Sequence, residues 1–248
     1  MKPYWESGGL TIYRADIRDA APHLPIADMV LADAPYDQTA LDWDRWLPGW
    51  PTLMSELLCD AGSFWCCGTF RMFWEHQAEF SDWWPAQDVV WEKHNGSGPR
   101  TDRFRRVHEL AVQFVKLRAK WADVYKSPVY TMDATARTVR RKAQPSHWGD
   151  IGESFYESHD GGPRMMRSVI YARSMHRRAI NPTQKSIELL GPLIEHSCPE
   201  GGLVLDPFMG SGSTLDAARI LRRRAIGVEI RESECAQAVE RLSQARLI

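Results

Sequence analysis

The chain has 248 residues, of which 44% are hydrophobic and 25% charged, with a formal net charge of −1. That length suffices for one substantial α/β domain plus an inserted piece, and no apolar run approaches the roughly 20 residues a membrane helix needs, so no membrane partner is expected. Residues 1–9 lack the basic-then-apolar order of a secretory signal, and the five cysteines have no paired metal spacing, so a reduced, cytoplasmic setting without a metal is expected.

In chain order, the first apolar run, 10–15, reads as a strand. A second, 29–32, also reads as a strand and runs into Asp33-Ala34-Pro35-Tyr36. At the carboxyl edge of a parallel sheet such a turn lies where ligands sit. Its four residues suit methyl transfer to an aromatic amine. The lone pair of that amine is delocalised into the ring, so the free nitrogen is a poor nucleophile. Two acceptors gripping its N–H bonds, the Asp33 carboxylate and the Ala34 carbonyl, would localise the pair and stabilise the charge that develops. Pro35 restricts Ala34 to an extended conformation, and Tyr36 could stack on an extruded base. Taken alone, the segment is equally compatible with a proline that merely ends a strand.

Residues 52–59 read as a helix with Leu53, Leu57 and Leu58 on one face. Trp43, Trp46 and Trp50 precede it. They are candidates for lining a base pocket, but core packing or an oligomer surface is the expected place for most of the 11 tryptophans, so a homodimer is among the arrangements allowed. Further strands are predicted at 63–67, 88–91 and 110–116.

Charge is unevenly spread. From Lys93 to Lys185 there are 19 Lys+Arg against 8 Asp+Glu, so an acidic body carries one basic block, the footprint of a polyanionic partner such as nucleic acid. Arg100, Arg103, Arg105 and Arg106 form one cluster, and Arg137, Arg140, Arg141 and Lys142 a second. Guanidinium groups suit phosphate contacts and guanine edges, although a solvated loop would have the same composition. His108-Glu109 reads as a structural histidine rather than an organiser of a site. The span 117–180 has no clear strand–helix rhythm and is expected to be an insertion dedicated to recognition.

Residues 186–196 read as a helix capped by Ser186. The next strand, 203–205, leads into Asp206-Pro207-Phe208-Met209-Gly210-Ser211-Gly212-Ser213-Thr214 and then a helix over 213–223. Small residues there let backbone N–H groups approach a ligand. A strand at 225–228 ends at Glu229, placed to accept from both hydroxyls of a ribose. A helix over 232–247 carries Cys235, Ala238, Val239 and Leu242 on one stripe. The spacing is neither that of a dinucleotide fingerprint nor that of a P-loop, which would want Lys where Ser213 stands. A tight turn without a ligand is the alternative reading of this loop.

Together these segments resemble the amino-methyltransferase family of DNA-modifying enzymes, in its β-type motif order. Asp33-Ala34-Pro35-Tyr36 resembles the catalytic D-P-P-Y, and residues 206–212 match the cofactor loop. Asn181-Pro182-Thr183-Gln184-Lys185 resembles the H-P-T-Q-K segment that helps hold the cofactor. Arg14-Ala15-Asp16 is similar to the segment at the adenine side of the cofactor, and Glu229 matches the ribose-binding acid. Two positions depart from the pattern: Ala34 stands for the first proline and Asn181 for the histidine.

The resemblance implies a doubly wound, mostly parallel seven-stranded α/β sheet of the S-adenosylmethionine-dependent methyltransferase kind, with circularly permuted motif order. Residues 1–116 would form the catalytic half, 117–180 the inserted target-recognition region and 181–248 the cofactor half. Catalysis would fall to Asp33, Ala34, Pro35 and Tyr36. The cofactor S-adenosylmethionine would be held by Asp16, Asp33, Asn181, Pro182, Thr183, Lys185, Asp206, Phe208, Gly210, Ser211, Gly212, Thr214 and Glu229. Double-stranded DNA would be the partner and adenine N6 the acceptor. Cytosine N4, or a catalytically silent cofactor-binding DNA module, are the alternatives, with an RNA or protein acceptor behind them.

Overall fold

A computed structural model describes residues 1–39, 41–97, 101–142, 144–146, 149–173 and 185–244. The chain divides into a main unit, Met1–Ser127 with Ser168–Ile248, and a small one, Pro128–Arg167, which lies inside the span where an insertion was expected. The main unit opens with strands β1 (Trp5–Ser7), β2 (Leu10–Arg14), β3 (Ala27–Ala32), β4 (Leu58–Gly68), β5 (Trp83–Ser97) and β6 (Arg106–Lys116). The small unit carries β7 (Tyr130–Thr131), β8 (Arg137–Arg141), β9 (Gln144–Ser146), β10 (Gly149–Ile151), β11 (Ser154–Ser158) and β12 (Arg164–Met165). These pair antiparallel, two by two, as β7 with β12, β8 with β11 and β9 with β10. Strands β13 (Val169–Tyr171), β14 (Leu203–Asp206) and β15 (Arg224–Glu229) return to the main unit. Its helices are α1 (Ile17–Ala20), α2 (Trp50–Leu57), α3 (Phe70–Glu75), α4 (Ile187–Ser197), α5 (Ser213–Ile220) and α6 (Glu232–Ser243).

Among the described residues the main sheet has nine strands, in the order β1-β2-β15-β14-β3-β4-β6-β5-β13. All seven strands read from the sequence are present and occupy the consecutive middle places. The count is nine rather than seven because β1 and β13, three residues each, pair at the two edges. Three residues are too few to show an alternating pattern. From β2 to β4 every pairing is parallel, and β4, β6 and β5 then run antiparallel. Strand β14 is buried at all four positions, as a central parallel strand covered on both faces should be.

Strand alternation separates the two faces. Val30, Ala32, Phe64, Cys66 and Leu205 pack with Ile17 of α1 and with Trp50 and Met54 of α2 in one cluster. Met29, Leu31 and Trp65 alternate with these residues, and the Trp65 indole donates to Ser197 Oγ of α4 at 2.7 Å. Helix α4 is capped by Ser186, whose side chain accepts from the Glu188 amide, as expected from the sequence. No helix among the described residues is long and apolar enough to cross a membrane.

Candidate active site

The parallel register sets three strand ends side by side. Leu205 of β14 pairs with Val30 of β3, and Asp206 pairs with Gly227 of β15. The turns beginning at Asp33, Asp206 and Glu229 therefore open on one carboxyl edge, where the loops of a parallel sheet leave a crevice. One cleft is lined there by Asp16, Asp33, Pro35, Lys185, Asp206, Phe208, Gly210, Ser211, Thr214 and Glu229, together with Trp43 and Arg231.

Asp33 is held from two sides. The Tyr36 hydroxyl donates to Oδ1, and the Lys185 ammonium donates to Oδ2 at 2.5 Å. Lys185 also lies 3.4 Å from Glu109 Oε2, while Lys93 pairs with the other oxygen of Glu109. The Trp91 ring lies under both cations, 4.4 Å from Lys93 Nζ and 5.4 Å from Lys185 Nζ. Two lysines and two carboxylates thus alternate in an ionic chain. Burial works against the charge on Lys185, but Asp33 and Glu109 outweigh it and raise the ammonium above its ordinary value. Burial likewise pushes Glu109 up, and Lys185 and Lys93 hold it below the usual carboxylate range. Burial, with Asp33 and Glu109, keeps the Tyr36 phenol protonated well past its ordinary range.

The cofactor-type loop is tied down at both ends. Phe208 packs edge-on against the fully buried Trp50, ring centroids 5.1 Å apart, a contact worth about 0.5–1.5 kcal/mol beyond the area it buries. Gly210 and Gly212 adopt left-handed φ values of 50° and 79°, which a side chain at either position would strain. The Gly210 amide donates to Glu229 Oε2 at 3.1 Å, so the acidic end of β15 braces the loop directly. Buried Arg241 of α6 reaches Ser213 Oγ at 2.8 Å and Ser211 Oγ at 3.4 Å. Asp206 accepts the Phe208 amide, but burial first, and then the charges of Asp33 and Glu229, push its carboxyl up to about 7.

The turn after Tyr36 is shaped by a residue that nothing in the sequence pattern singles out. Asp44 is buried, and its Oδ1 accepts the amides of Tyr36 and Asp37 at 2.7 and 3.0 Å. Its Oδ2 accepts those of Gln38 and Thr39 at 3.0 and 2.7 Å. Next to it, Trp46 stacks on His76 and donates to Glu79 Oε1 at 2.6 Å, and Trp43 packs over the Arg231 guanidinium.

The structure brings together the expected residues of the tetrapeptide and of the loop 206–214 with Asp16, Lys185 and Glu229. Ala34 is buried between Asp33 and Pro35, and Gly212 heads α5 beside the cleft. Asp16 caps α1, accepting from the Arg18 amide and guanidinium, and still lines the cleft. Lys185, expected on the cofactor side, bonds to Asp33. Asn181, Pro182, Thr183 and Arg100 lie outside the described residues. Arg103, Arg105 and Arg106 are exposed at the start of β6, with Arg103 paired to Asp102 at 2.7 Å. In the small unit, Arg137, Arg140, Arg141 and Lys142 are exposed on and after β8. The reading of His108 as a structural histidine is corrected: His108 is exposed, and it is Glu109 that is drawn into the ionic chain. Of the three tryptophans, Trp50 is core, Trp43 lines the cleft and Trp46 is half-buried.

Comparison with known proteins adds an independent finding. A family model described as DNA methylase, of the N6/N4 class, matches residues 27–240. The chain is similar to the type II methyltransferase M.ScaI of Streptomyces caespitosus, 22% identical over 267 residues, covering 97% of this chain and 84% of that protein. It is also similar to the type II methyltransferase M.HinfI of Haemophilus influenzae, 24% identical over 212 residues, spanning 82% of this chain and 52% of that one. Among solved structures, the M1.HpyAVI–SAM complex matches with a TM-score of 0.65 and 21% identity over 95% of this chain and 100% of that one. The PvuII DNA methyltransferase (cytosine-N4-specific) matches with a TM-score of 0.69 and 14% identity over 100% of this chain and 90% of that one. At these identities the two structures speak to the fold.

Proposed function

The chain belongs to the DNA methylase family of the N6/N4 class, and from that membership we propose that it transfers a methyl group from S-adenosylmethionine to the N6 amine of an adenine extruded from duplex DNA. The observation that carries this reading is the shared cleft of Asp33 with the loop 206–214 and Glu229. The lining fits the donor. Four carboxylates, from Asp16, Asp33, Asp206 and Glu229, offer a negative setting to a sulfonium cation, and Phe208 and Trp43 supply apolar surface. Glu229 is assigned to the ribose, Asp16 to the adenine side, and Gly210, Ser211, Gly212 and Thr214 to the backbone approach. Asn181, Pro182 and Thr183 keep the cofactor-side assignment that the resemblance gives them. When bound, the donor supplies an electrophilic methyl group on a cationic sulfur.

The chain's own residues prepare the acceptor. Asp33 and the Ala34 carbonyl take the two N–H bonds of the amine and draw its nitrogen toward tetrahedral geometry. Each oxygen of Asp33 has a second lone pair, so its bonds to Tyr36 and Lys185 leave room for the base. Those two bonds fix the carboxylate, and the same bond orients the Tyr36 ring for stacking on the extruded base. Rate then comes from positioning and from polarising the amine. Asp at the head of the tetrapeptide favours adenine over cytosine within this family's pattern.

The span 117–180, with the compact unit Pro128–Arg167 inside it, is assigned to target recognition, between the catalytic half at 1–116 and the cofactor half at 181–248. Its exposed Arg137, Arg140, Arg141 and Lys142, and Arg100, Arg103, Arg105 and Arg106 of the main unit, are assigned to DNA. A second reading is transfer to cytosine N4, the other acceptor that the matching N6/N4 family model spans. The two are separated by digesting duplex DNA treated with the protein and labelled donor, and resolving the nucleosides. Label in N6-methyl-2′-deoxyadenosine is expected. Label in the N4-methyl-2′-deoxycytidine fraction would establish the second reading, and absence of label from both would overturn the proposal.

A further inference from the structure

Phe104 is 101% exposed, and its neighbours Arg103, Arg105 and Arg106 are exposed with it. A phenylalanine so placed gains nothing from burial in the folded chain, and it is the most exposed of the large apolar residues described. Its position follows from strand register. Ala32 pairs with Cys66 and Gly68 with Leu110, and β6 runs antiparallel to β4. Residues before Leu110 therefore rise past the edge on which Asp33 sits. Glu109 is anchored there through Lys185, which bonds to Asp33. Phe104 lies five residues before Glu109, a stretch that an extended chain spans in at most about 17 Å, so it lies beyond the same carboxyl edge of the sheet and within that distance of Glu109.

We infer that Phe104 is a wedge that enters the base stack of the duplex beside the extruded nucleotide, while Arg103, Arg105 and Arg106 hold the flanking phosphates. The inference rests on the reading that a base is extruded, and it names the residue that fills the gap. The ring restores the stacking that extrusion removes, and an apolar wedge between base steps is a physically established way to hold a duplex open. Three exposed arginines within two residues of Phe104 in sequence give the charge complementarity that a phosphate backbone requires. The exposed Arg103–Asp102 pair holds the arginine only weakly and gives way to phosphate at small cost.

Relaxation of closed-circular plasmid by a topoisomerase, with saturating protein present, tests the wedge directly. A ring inserted between base pairs unwinds the helix, whereas phosphate contacts alone do not. Wild type is expected to leave the plasmid underwound once protein is removed. Phe104→Ala, at a concentration that still saturates the plasmid, should lose this unwinding, and Phe104→Trp should retain it. Methyl transfer to the same plasmid, measured in parallel, should fall about tenfold or more in Phe104→Ala, the loss of one base–aromatic stack, with donor binding unchanged. Unwinding by Phe104→Ala equal to wild type, or by neither protein, overturns the wedge. Unwinding that depends on Phe104 without methyl transfer by wild type upholds the wedge and removes the proposed reaction, so the two can fail separately.

Discussion

Lys185 places its ammonium 2.5 Å from Asp33 Oδ2, joining two residues that are 152 positions apart in the chain. The contact ties the segment before α4 to the end of β3, and through Glu109 it ties both to the β5–β6 hairpin. On the proposed reading Lys185 is therefore a positioning residue for the Asp33 carboxylate.

Lys185→Ala should separate that role from one in holding the cofactor. It leaves Asp33 and Glu109 facing one another without their shared cation. Removing one partner of a buried pair costs about 3–5 kcal/mol, and the lower end applies because Asp33 is partly exposed. Denaturant midpoints would read that loss. The fall in kcat should exceed any change in donor Kd, with partial recovery in Lys185→Arg. A change confined to donor Kd would show that the lysine serves the cofactor alone.

Asp206 gives a pH dependence whose sign is fixed. Its carboxyl, at 3.8 when unperturbed, is pushed up to about 7 by burial and by Asp33 and Glu229. The folded protein thus keeps a proton that the unfolded chain has released. This contribution to stability is fully present below the unfolded value and is lost as pH rises through about 7. Asp206→Asn should stabilise the ligand-free protein above that pH, raising Tm by about 2–4 °C for each kcal/mol relieved. Donor binding by wild type should strengthen as pH rises through the same range, because the ionised carboxylate attracts the sulfonium, and Asp206→Asn should flatten that dependence. Equal slopes for the two proteins in titrations would assign it to another group.

Asp44 is expected to govern the shape of the catalytic turn without touching substrate. Burial would raise its carboxyl, yet the Thr39 hydroxyl and the amides of Tyr36, Thr39 and Gln38 hold it below the ordinary range. Its stabilising contribution is present above the unfolded value and is lost as pH falls through the folded one. Asp44→Asn sets an N–H donor against amide donors, at a cost of about 1–3 kcal/mol. Circular dichroism melts should show that loss at neutral pH and a smaller difference from wild type in acid. Activity should drop with it, chiefly in kcat. A variant with wild-type kcat would mean that the turn holds its shape without the carboxylate.

Much of this arrangement could be read before any coordinates. Seven strands follow from apolar runs that end in marked turns, and the meeting of Asp33 with Asp206, Gly210 and Glu229 follows from the family resemblance those turns carry. The hairpin was seen only in part, at 88–91 and 110–116, whereas β5 spans Trp83–Ser97 and β6 spans Arg106–Lys116. At Arg106, Val107 and His108 the strand is exposed, so burial leaves no alternating pattern to read there. The part played by Glu109, and Asp44 altogether, escaped notice for a different reason. One acts on a lysine 76 positions away and the other on backbone amides, and neither kind of bond leaves a spacing in the sequence.

The most direct measurement pairs donor binding with methyl transfer to duplex DNA in wild type and Asp33→Ala. If Asp33 polarises the amine, the variant should bind the donor nearly as wild type does and lose transfer by about 10²–10³-fold, the usual cost of removing one preorganised electrostatic contact in a transition state. Transfer by Asp33→Ala at the wild-type rate, or a wild type that binds DNA and donor but transfers nothing, would contradict the assignment of this cleft as the site of amine methylation.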